Sequence, residues 1–332
     1  MSDTVQKNDE VLRVEGLSVY YETDEGTAKA VNDLDLVVKR GHTVGLVGET
    51  GSGKTTTALA ILRLVPDPPG VVKSGKITLD GMDIYSLTEG EMDMVRGRHA
   101  SMIFQDPMTA LNPVMTVGDQ IAETLRIHEG LGKEEAYAKA QEMLKMVGIP
   151  PERAKEYPHQ FSGGMKQRVV IAIAFACSPQ LLIADEPTTA LDVTIQAQIL
   201  REMHDLKEQH NMSMIMITHD LGIVAQVCDE VAVIYAGRII EYGDIREVFK
   251  NTKHPYTRGL FDSLPRINDD REKLQPIPGM MPDPMELPEG CAFAPRCKYA
   301  TEACSKAVPG KTYFGDNHYV ACCAYDDPAF SL

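Results

Sequence analysis

The sequence has no tryptophan, few aromatics of any kind (6%) and no positive excess: 33 Lys and Arg stand against 48 Asp and Glu, a formal net charge of -15. A sequence-independent nucleic-acid binder needs a basic footprint, as does electrostatic attachment to anionic lipid, so neither is the expected role. Long hydrophobic runs are missing as well. A membrane-spanning helix takes about 20 apolar residues, and the longest candidates, such as Val169 to Cys177, are far shorter. Met1 to Glu10 is polar and acidic, without the apolar stretch of a signal peptide, so a cytoplasmic protein is expected whose membrane attachment is made through a protein partner. No internal repeat or low-complexity tract is present. Cysteine is scarce through most of the chain: only Cys177 and Cys228 precede residue 291, both in apolar segments where a thiol packs as core. What remains is ordinary globular composition, 43% hydrophobic with a mean hydropathy of -0.19. At 332 residues the chain predicts one large domain plus an appendage.

The most informative stretch is Gly48-Glu49-Thr50-Gly51-Ser52-Gly53-Lys54-Thr55-Thr56, which fits G-x-x-x-x-G-K-[ST]. The apolar run His42 to Val47 before it reads as a buried strand, and Thr56 to Leu62 after it as the first turns of a helix. Glycines there let successive backbone N–H groups point inward, and the helix dipole favours an anion. Lys54 would then reach the β- and γ-phosphates of a nucleotide, with the Thr55 hydroxyl on Mg²⁺.

Ahead of this loop, residues 11 to 40 alternate apolar and polar about a turn at Thr23-Asp24-Glu25-Gly26, which predicts antiparallel β-structure. Tyr20 and Tyr21 close the first strand, and an aromatic there either stacks on a nucleotide base or covers the sheet edge. Downstream, Ala100 to Phe104 predicts a strand ending in Gln105-Asp106-Pro107, where the glutamine either serves a metal and water or is plain surface. Residues 108 to 157 carry helix-period patterns, Val117 to His128 and Lys133 to Val147 with Gly148 as a stop, and predict a helical insertion. Ser162-Gly163-Gly164 opens a further helix, either as a second anion-facing N-terminus or as a simple cap by Ser162. Leu181 to Ala184 leads into Asp185 and Glu186, two acids at the C-terminal end of an expected parallel strand, where open α/β sheets bind ligands. Their side chains diverge, so Asp185 would hold Mg²⁺ through water while Glu186 polarises the attacking water. Ala190-Leu191-Asp192 is expected to open the next helix. Ser213 to Ile217 then ends in Thr218-His219-Asp220, a histidine at another strand end that either reaches the γ-phosphate or caps a helix. Asp229 to Tyr242 predicts a closing hairpin and Asp244 to Lys250 a short helix.

Taken together, the phosphate loop, glutamine loop, Ser-Gly-Gly signature, Asp-Glu strand, Leu-Asp and histidine resemble an ATP-binding-cassette ATPase over residues 11 to 250. The resemblance implies an α/β P-loop NTPase fold with a RecA-like core, an antiparallel β subdomain and a helical subdomain at about 108 to 178. It implies ATP and Mg²⁺ as ligands. Tyr21 would stack on adenine; Gly48, Gly51, Ser52, Gly53, Lys54, Thr55 and Thr56 would hold the phosphates and Mg²⁺. Gln105 would serve Mg²⁺ and the water while sensing membrane subunits, and Asp185, Glu186 and His219 would complete the hydrolytic set. Ser162, Gly163 and Gly164 would act across a dimer on a partner's ATP. The family signature usually reads Leu-Ser-Gly-Gly-Gln; Phe161 and Met165 replace its ends here, which bears on the rate at the partner's site. Ile103 to Pro107, Leu111-Asn112-Pro113, Gly163-Gly164-Met165, Thr189 to Val193 and His254-Pro255-Tyr256-Thr257 are similar to the D-type ATPase of the dipeptide/oligopeptide importers. That branch implies a heterodimer with an F-type ATPase beneath two permease subunits on the cytoplasmic face, with an extracytoplasmic binding protein delivering solute and no nucleic acid involved.

Residues 251 to 332 form the expected extension. Six prolines between Gln275 and Arg296 exclude a regular helix there. Cys291, Cys297, Cys304 and Cys322, with Cys323 as an alternative fourth, form a cluster that in a cytosolic protein favours metal over disulfide. Spacing does not separate zinc from an iron–sulfur cluster; similar tails imply [4Fe–4S], with Zn²⁺ second and inert thiols third. The expected function is the ATP-hydrolysing subunit of a di-/oligopeptide importer. The same role for nickel or oligosaccharide import is an alternative. A soluble cassette protein of DNA repair or translation is weakened by the acidity and by the single cassette. A redox-sensing interaction protein is disfavoured by the intact Asp185-Glu186 pair.

Overall fold

The computed structural model describes residues 9–188, 193–263, 276–315 and 317–327, together with 330 and 332. Ala190, Leu191 and Asp192, with Thr189 of the importer-branch pattern, lie outside these, as do the first eight residues and Gln275. The strands in chain order are β1 (Glu10–Thr23), β2 (Gly26–Lys39), β3 (Thr43–Val47), β4 (Gly70–Leu79), β5 (Met82–Asp83), β6 (Ala100–Ile103), β7 (Leu181–Asp185), β8 (Ser213–Ile217), β9 (Glu230–Tyr235), β10 (Arg238–Asp244), β11 (Lys311–Tyr313) and β12 (Tyr319–Ala321). As the alternation predicts, the chain from 11 to 40 is two long strands about a tight turn, within a four-stranded sheet ordered β2-β1-β4-β5.

Two compact units are present. One comprises residues 1–13, 37–43 and 78–217, the other 14–36, 44–77 and 218–332. In the first, β8, β7 and β6 run parallel, with Ala184 opposite both Ile103 and Met216 and Asp185 opposite Ile217. Every residue of β7 and β8 is buried, which is why both read as unbroken apolar runs: a parallel strand is covered on both faces. The helical insertion consists of helices Val117–Glu129 and Lys133–Met146. Thr116 caps the first, accepting from Asp119 N, and Gly130 closes it in the left-handed conformation. Gly148 (φ 72°) follows the second, as the stop signal requires. The signature helix runs Gly163–Phe175, and Ser162 caps it by accepting from Met165 N.

In the second unit β3 pairs parallel with β9, β9 forms an antiparallel hairpin with β10, and β12 and β11 continue outward from β10. The proline-rich stretch carries no α-helix among its described residues, as expected. The tail nonetheless contributes sheet: Val320 lies opposite Glu241 and Tyr319 opposite Tyr242, whose rings stack at 5.6 Å. Glu241 is fully buried. Its carboxylate accepts from Lys253 N (2.7 Å), His254 N (2.9 Å) and His318 Nε2 (2.9 Å), so three separate stretches are held on one side chain.

Candidate nucleotide site

The phosphate loop belongs to the second unit. It leaves β3 and ends at Gly53, which stands at the N-cap of helix Lys54–Ile61 with φ 104°. A Cβ at Gly53 would lie 2.4 Å from Ala30 O, and one at Gly48 would lie 2.2 Å from Ile234 O, so both positions exclude a side chain. Gly51 (φ 82°) also occupies the left-handed region. Lys54 is 7% exposed and folds over its own loop, donating to Gly48 O (2.8 Å), Glu49 O (2.9 Å) and Ser52 Oγ (3.4 Å). These three oxygens satisfy the buried ammonium. The arrangement fits a triphosphate: a helix N-terminus, a glycine cradle and a lysine already curled towards it. Thr55 is exposed and Thr56 half-buried, with Thr56 Oγ1 3.4 Å from the hydroxyl of Tyr21. Tyr21, half-buried, therefore stands beside the phosphate-loop helix. In the same unit His219 is exposed just after β8, and the following Asp220 caps helix Leu221–Val227 by accepting from Gly222 N and Ile223 N.

The first unit carries the carboxylates. Asp185 ends β7 at 2% exposure, and Glu186 follows with φ 46°, a left-handed conformation uncommon for glutamate. Glu186 N donates to Ile217 O (2.9 Å), which pins that bend to β8. Its side chain turns outward, and Gln105 Nε2 donates to Glu186 Oε2 at 2.9 Å. The two residues that sequence reading placed on separate strand ends are thus brought together. The adjacency follows from β6 and β7 being neighbours in the parallel sheet.

Ser162 and Gly163 are exposed at the start of their helix and Gly164 is half-buried. The two departures from the family signature share one neighbour. Arg153 lies over the Phe161 ring (4.5 Å to the centroid) and donates to Met165 Sδ (3.3 Å), while Glu156 accepts from its guanidinium. Phe161 and Met165 therefore brace the segment before and inside the signature, leaving Ser-Gly-Gly between them.

The phosphate loop also has partners that the sequence did not signal. Tyr256 Oη accepts from Glu49 N (2.9 Å), and Arg296 Nη1 donates to both Glu49 carboxylate oxygens (3.1 Å each) and to the Tyr235 hydroxyl (3.3 Å). Burial disfavours the charged guanidinium, yet the hydrogen bonds to Tyr235 and Glu49 and the Glu49 charge hold Arg296 above its ordinary pKa. Tyr256 belongs to the His254-Pro255-Tyr256-Thr257 pattern and so had a visible address; Arg296 had none.

The cysteines expected to hold a metal all lie in the second unit. Cys291 N donates to Cys304 O (2.7 Å), so these two stretches are adjacent, but the Cys304 sulfur is engaged locally with Thr301 N and Oγ1 (3.5 Å each). Burial raises the thiols of Cys291 and Cys297, and pushes Cys322 to about 12 and Cys323 to about 11, with neighbouring sulfurs acting in the same direction. Among the described residues, no group of three or more His, Cys, Asp or Glu is arranged to hold a metal ion. The four-cysteine metal site expected from spacing thus finds no support among the described residues.

A phosphate loop on a helix N-terminus, a buried Asp before a Gln-bound Glu, and a Ser-capped signature helix define a cassette ATPase. A family profile described as "ABC transporter" matches residues 31–189, and one described as "Oligopeptide/dipeptide transporter, C-terminal region" matches 240–304. A putative peptide import ATP-binding protein of Brucella abortus (strain 2308) is 49% identical, covering 96% of this chain and 98% of its own length. An oligopeptide transport ATP-binding protein of Bacillus subtilis (strain 168) is 50% identical over 93% of this chain and 87% of its own. Among solved structures, a dimeric ATP-binding cassette in a post-hydrolysis state with ADP and phosphate is similar with a TM-score of 0.64 and 26% identity, covering 71% of this chain and 99% of that one. The chain belongs to the ABC transporter ATPases of the oligopeptide/dipeptide importer type. Among the described residues, no helix is long and apolar enough to cross a membrane.

Proposed function

We propose that this chain hydrolyses ATP to energise import of di-/oligopeptides, from the cytoplasmic face of the membrane and as one half of an ATPase heterodimer beneath two permease subunits. The observation that carries the reading is the likeness to peptide import ATP-binding proteins over nearly the whole chain, tail included. In this reading residues 11–250 are the ATPase and 251–332 the extension. Tyr21 stacks on adenine, and Lys54 exchanges the Gly48 and Glu49 carbonyls for phosphate oxygens. Thr55, Gln105 and Asp185 would hold Mg²⁺, which neutralises charge on the phosphates. Glu186 accepts a proton from the attacking water, Gln105 orients the pair, and His219 donates towards the γ-phosphate. Ser162, Gly163 and Gly164 serve the ATP held by the second ATPase, an F-type subunit. An extracytoplasmic binding protein supplies the solute.

Co-expression with candidate permeases and a second ATPase tests this. The expected result is a stable complex whose ATPase is several-fold faster than that of the isolated chain, with uptake into proteoliposomes competed by peptides. Competition by nickel or oligosaccharide instead would move the solute; recovery with ribosomes or DNA and without permeases would end the transport reading.

The [4Fe–4S] reading of Cys291, Cys297, Cys304 and Cys322 rests on spacing and resemblance. Anaerobically purified protein should be brown and contain about four irons per chain if it holds. Colourless, zinc-loaded protein would assign Zn²⁺, and metal-free protein would leave inert thiols.

A further inference from the structure

Glu49 places a carboxylate inside a loop whose purpose is to bind a polyanion. Nothing in the G-x-x-x-x-G-K-[ST] pattern asks for an acid there, and an uncompensated one would repel the triphosphate. The tail answers it. Arg296 is 247 residues away in sequence, yet its Nη1 lies 3.1 Å from each Glu49 oxygen, and its side chain is only 6% exposed against 32% for Glu49. The guanidinium is itself fixed: Nε donates to Pro278 O (2.9 Å), Nη1 reaches the Tyr235 hydroxyl, and the Tyr235 and Phe293 rings lie 5.8 and 5.9 Å from its carbon. Tyr256 holds the same loop residue by its backbone N–H, packed at 4.7 Å against Tyr235 and 5.4 Å against Phe293. The Glu49 carbonyl in turn accepts from Lys54. One loop residue thus meets the tail through its amide and carboxylate and the phosphate-binding lysine through its carbonyl.

We propose that Arg296 and Tyr256 are positioning residues of the nucleotide site: Arg296 neutralises the Glu49 carboxylate and Tyr256 anchors its amide, so that the C-terminal extension sets the affinity of the phosphate loop for ATP. Arg296 touches no substrate; it acts through Glu49. The inference rests on the reading of Gly48–Thr56 as the ATP site. Phe293 and Arg296 lie between Cys291 and Cys297 in the chain, so the cysteine-bearing segment itself supplies the contact to this loop.

The test is equilibrium binding of Mg·ATP to the purified full-length chain, by displacement of a fluorescent ATP analogue, with thermal unfolding recorded for each variant. Arg296→Gln is expected to weaken ATP binding about tenfold, since it exposes a like charge beside the polyphosphate. Arg296→Lys should recover part of the loss. Glu49→Gln, which keeps the shape and removes the charge, should bind ATP about threefold more tightly than wild type, and Glu49→Gln/Arg296→Gln should return to within about twofold of it. Rescue by the second substitution is the signature of charge compensation. A purely structural role would lower the unfolding midpoint of Arg296→Gln and of the double variant alike, with no rescue of affinity, and would overturn the proposal. So would a wild-type Kd for Arg296→Gln, or a Glu49→Gln variant that binds no more tightly than wild type. Lys54→Ala separates the two levels: wild-type ATP binding by that variant would remove the loop from the ATP site, whereas its loss of binding beside an unaffected Arg296→Gln would sink the tail's role alone.

Discussion

Glu186→Gln is expected to leave ATP binding intact while lowering hydrolysis about 10²- to 10⁴-fold, the range that a positioned general base contributes. The substitution is nearly isosteric and removes only the proton acceptor. Local structure should persist, because Glu186 is held chiefly by its backbone: its N–H donates to Ile217 O and it follows the buried Asp185 of β7. Gln105 Nε2 meanwhile donates to its Oε2. A glutamine at this position still offers an oxygen to Gln105 but cannot take a proton from water. Single-turnover hydrolysis beside equilibrium ATP binding checks the point. Hydrolysis within about threefold of wild type would take the general-base role away from Glu186.

Glu241→Ala is the largest stability loss expected, about 3–5 kcal/mol, as for breaking a buried, hydrogen-bonded charged group. The carboxylate has no exposure and satisfies two backbone amides and the His318 ring; removing it leaves Lys253 N, His254 N and His318 Nε2 without their acceptor. Urea unfolding should show a lower midpoint, and a midpoint within error of wild type would show that the tail docks without this group. The same cluster predicts a pH dependence. His254 is buried, and burial pulls its pKa from an ordinary 6.5 down to about 4, against the opposing pull of the Glu241 charge. Its Nδ1 accepts from Tyr256 N, and its neighbour across Glu241 is His318. The unfolded chain therefore binds a proton below pH 6.5 that the folded chain refuses, so stability is full above 6.5 and falls as pH drops towards 4. Comparing urea midpoints at pH 7 and pH 5 should show this fall, and it should flatten in His254→Gln.

The elements that could be read from the chain are those written by local rules. Period-2 alternation gave β1 and β2, unbroken apolar runs gave β7 and β8, and Ser162 and Gly148 act as the cap and the stop they were expected to be. The phosphate loop was legible for the same reason: glycine, lysine and threonine at that spacing are dictated by one backbone turn and need no distant partner. Tail strands β11 and β12 were not legible, since three residues each are too short to show a period and their pairing with β10 is a tertiary choice. The cysteine cluster was legible from spacing, but spacing in sequence says nothing of where a sulfur finds its hydrogen bond; Cys304 finds it at Thr301.

The sequence by itself determined the chemistry available: a loop able to hold phosphate, two successive acids after an apolar run, and a glutamine at a strand end. Only the tertiary structure decided which of these meet. Gln105 reaches Glu186 because β6 and β7 are neighbours, and Glu186 can turn outward because a left-handed bend follows β7. Arg296 reaches Glu49, and Glu241 gathers His254 and His318, across separations at which no local periodicity carries information. Such contacts are set by which buried charge finds a partner once the core has formed, and that is settled by packing rather than by neighbours in the chain.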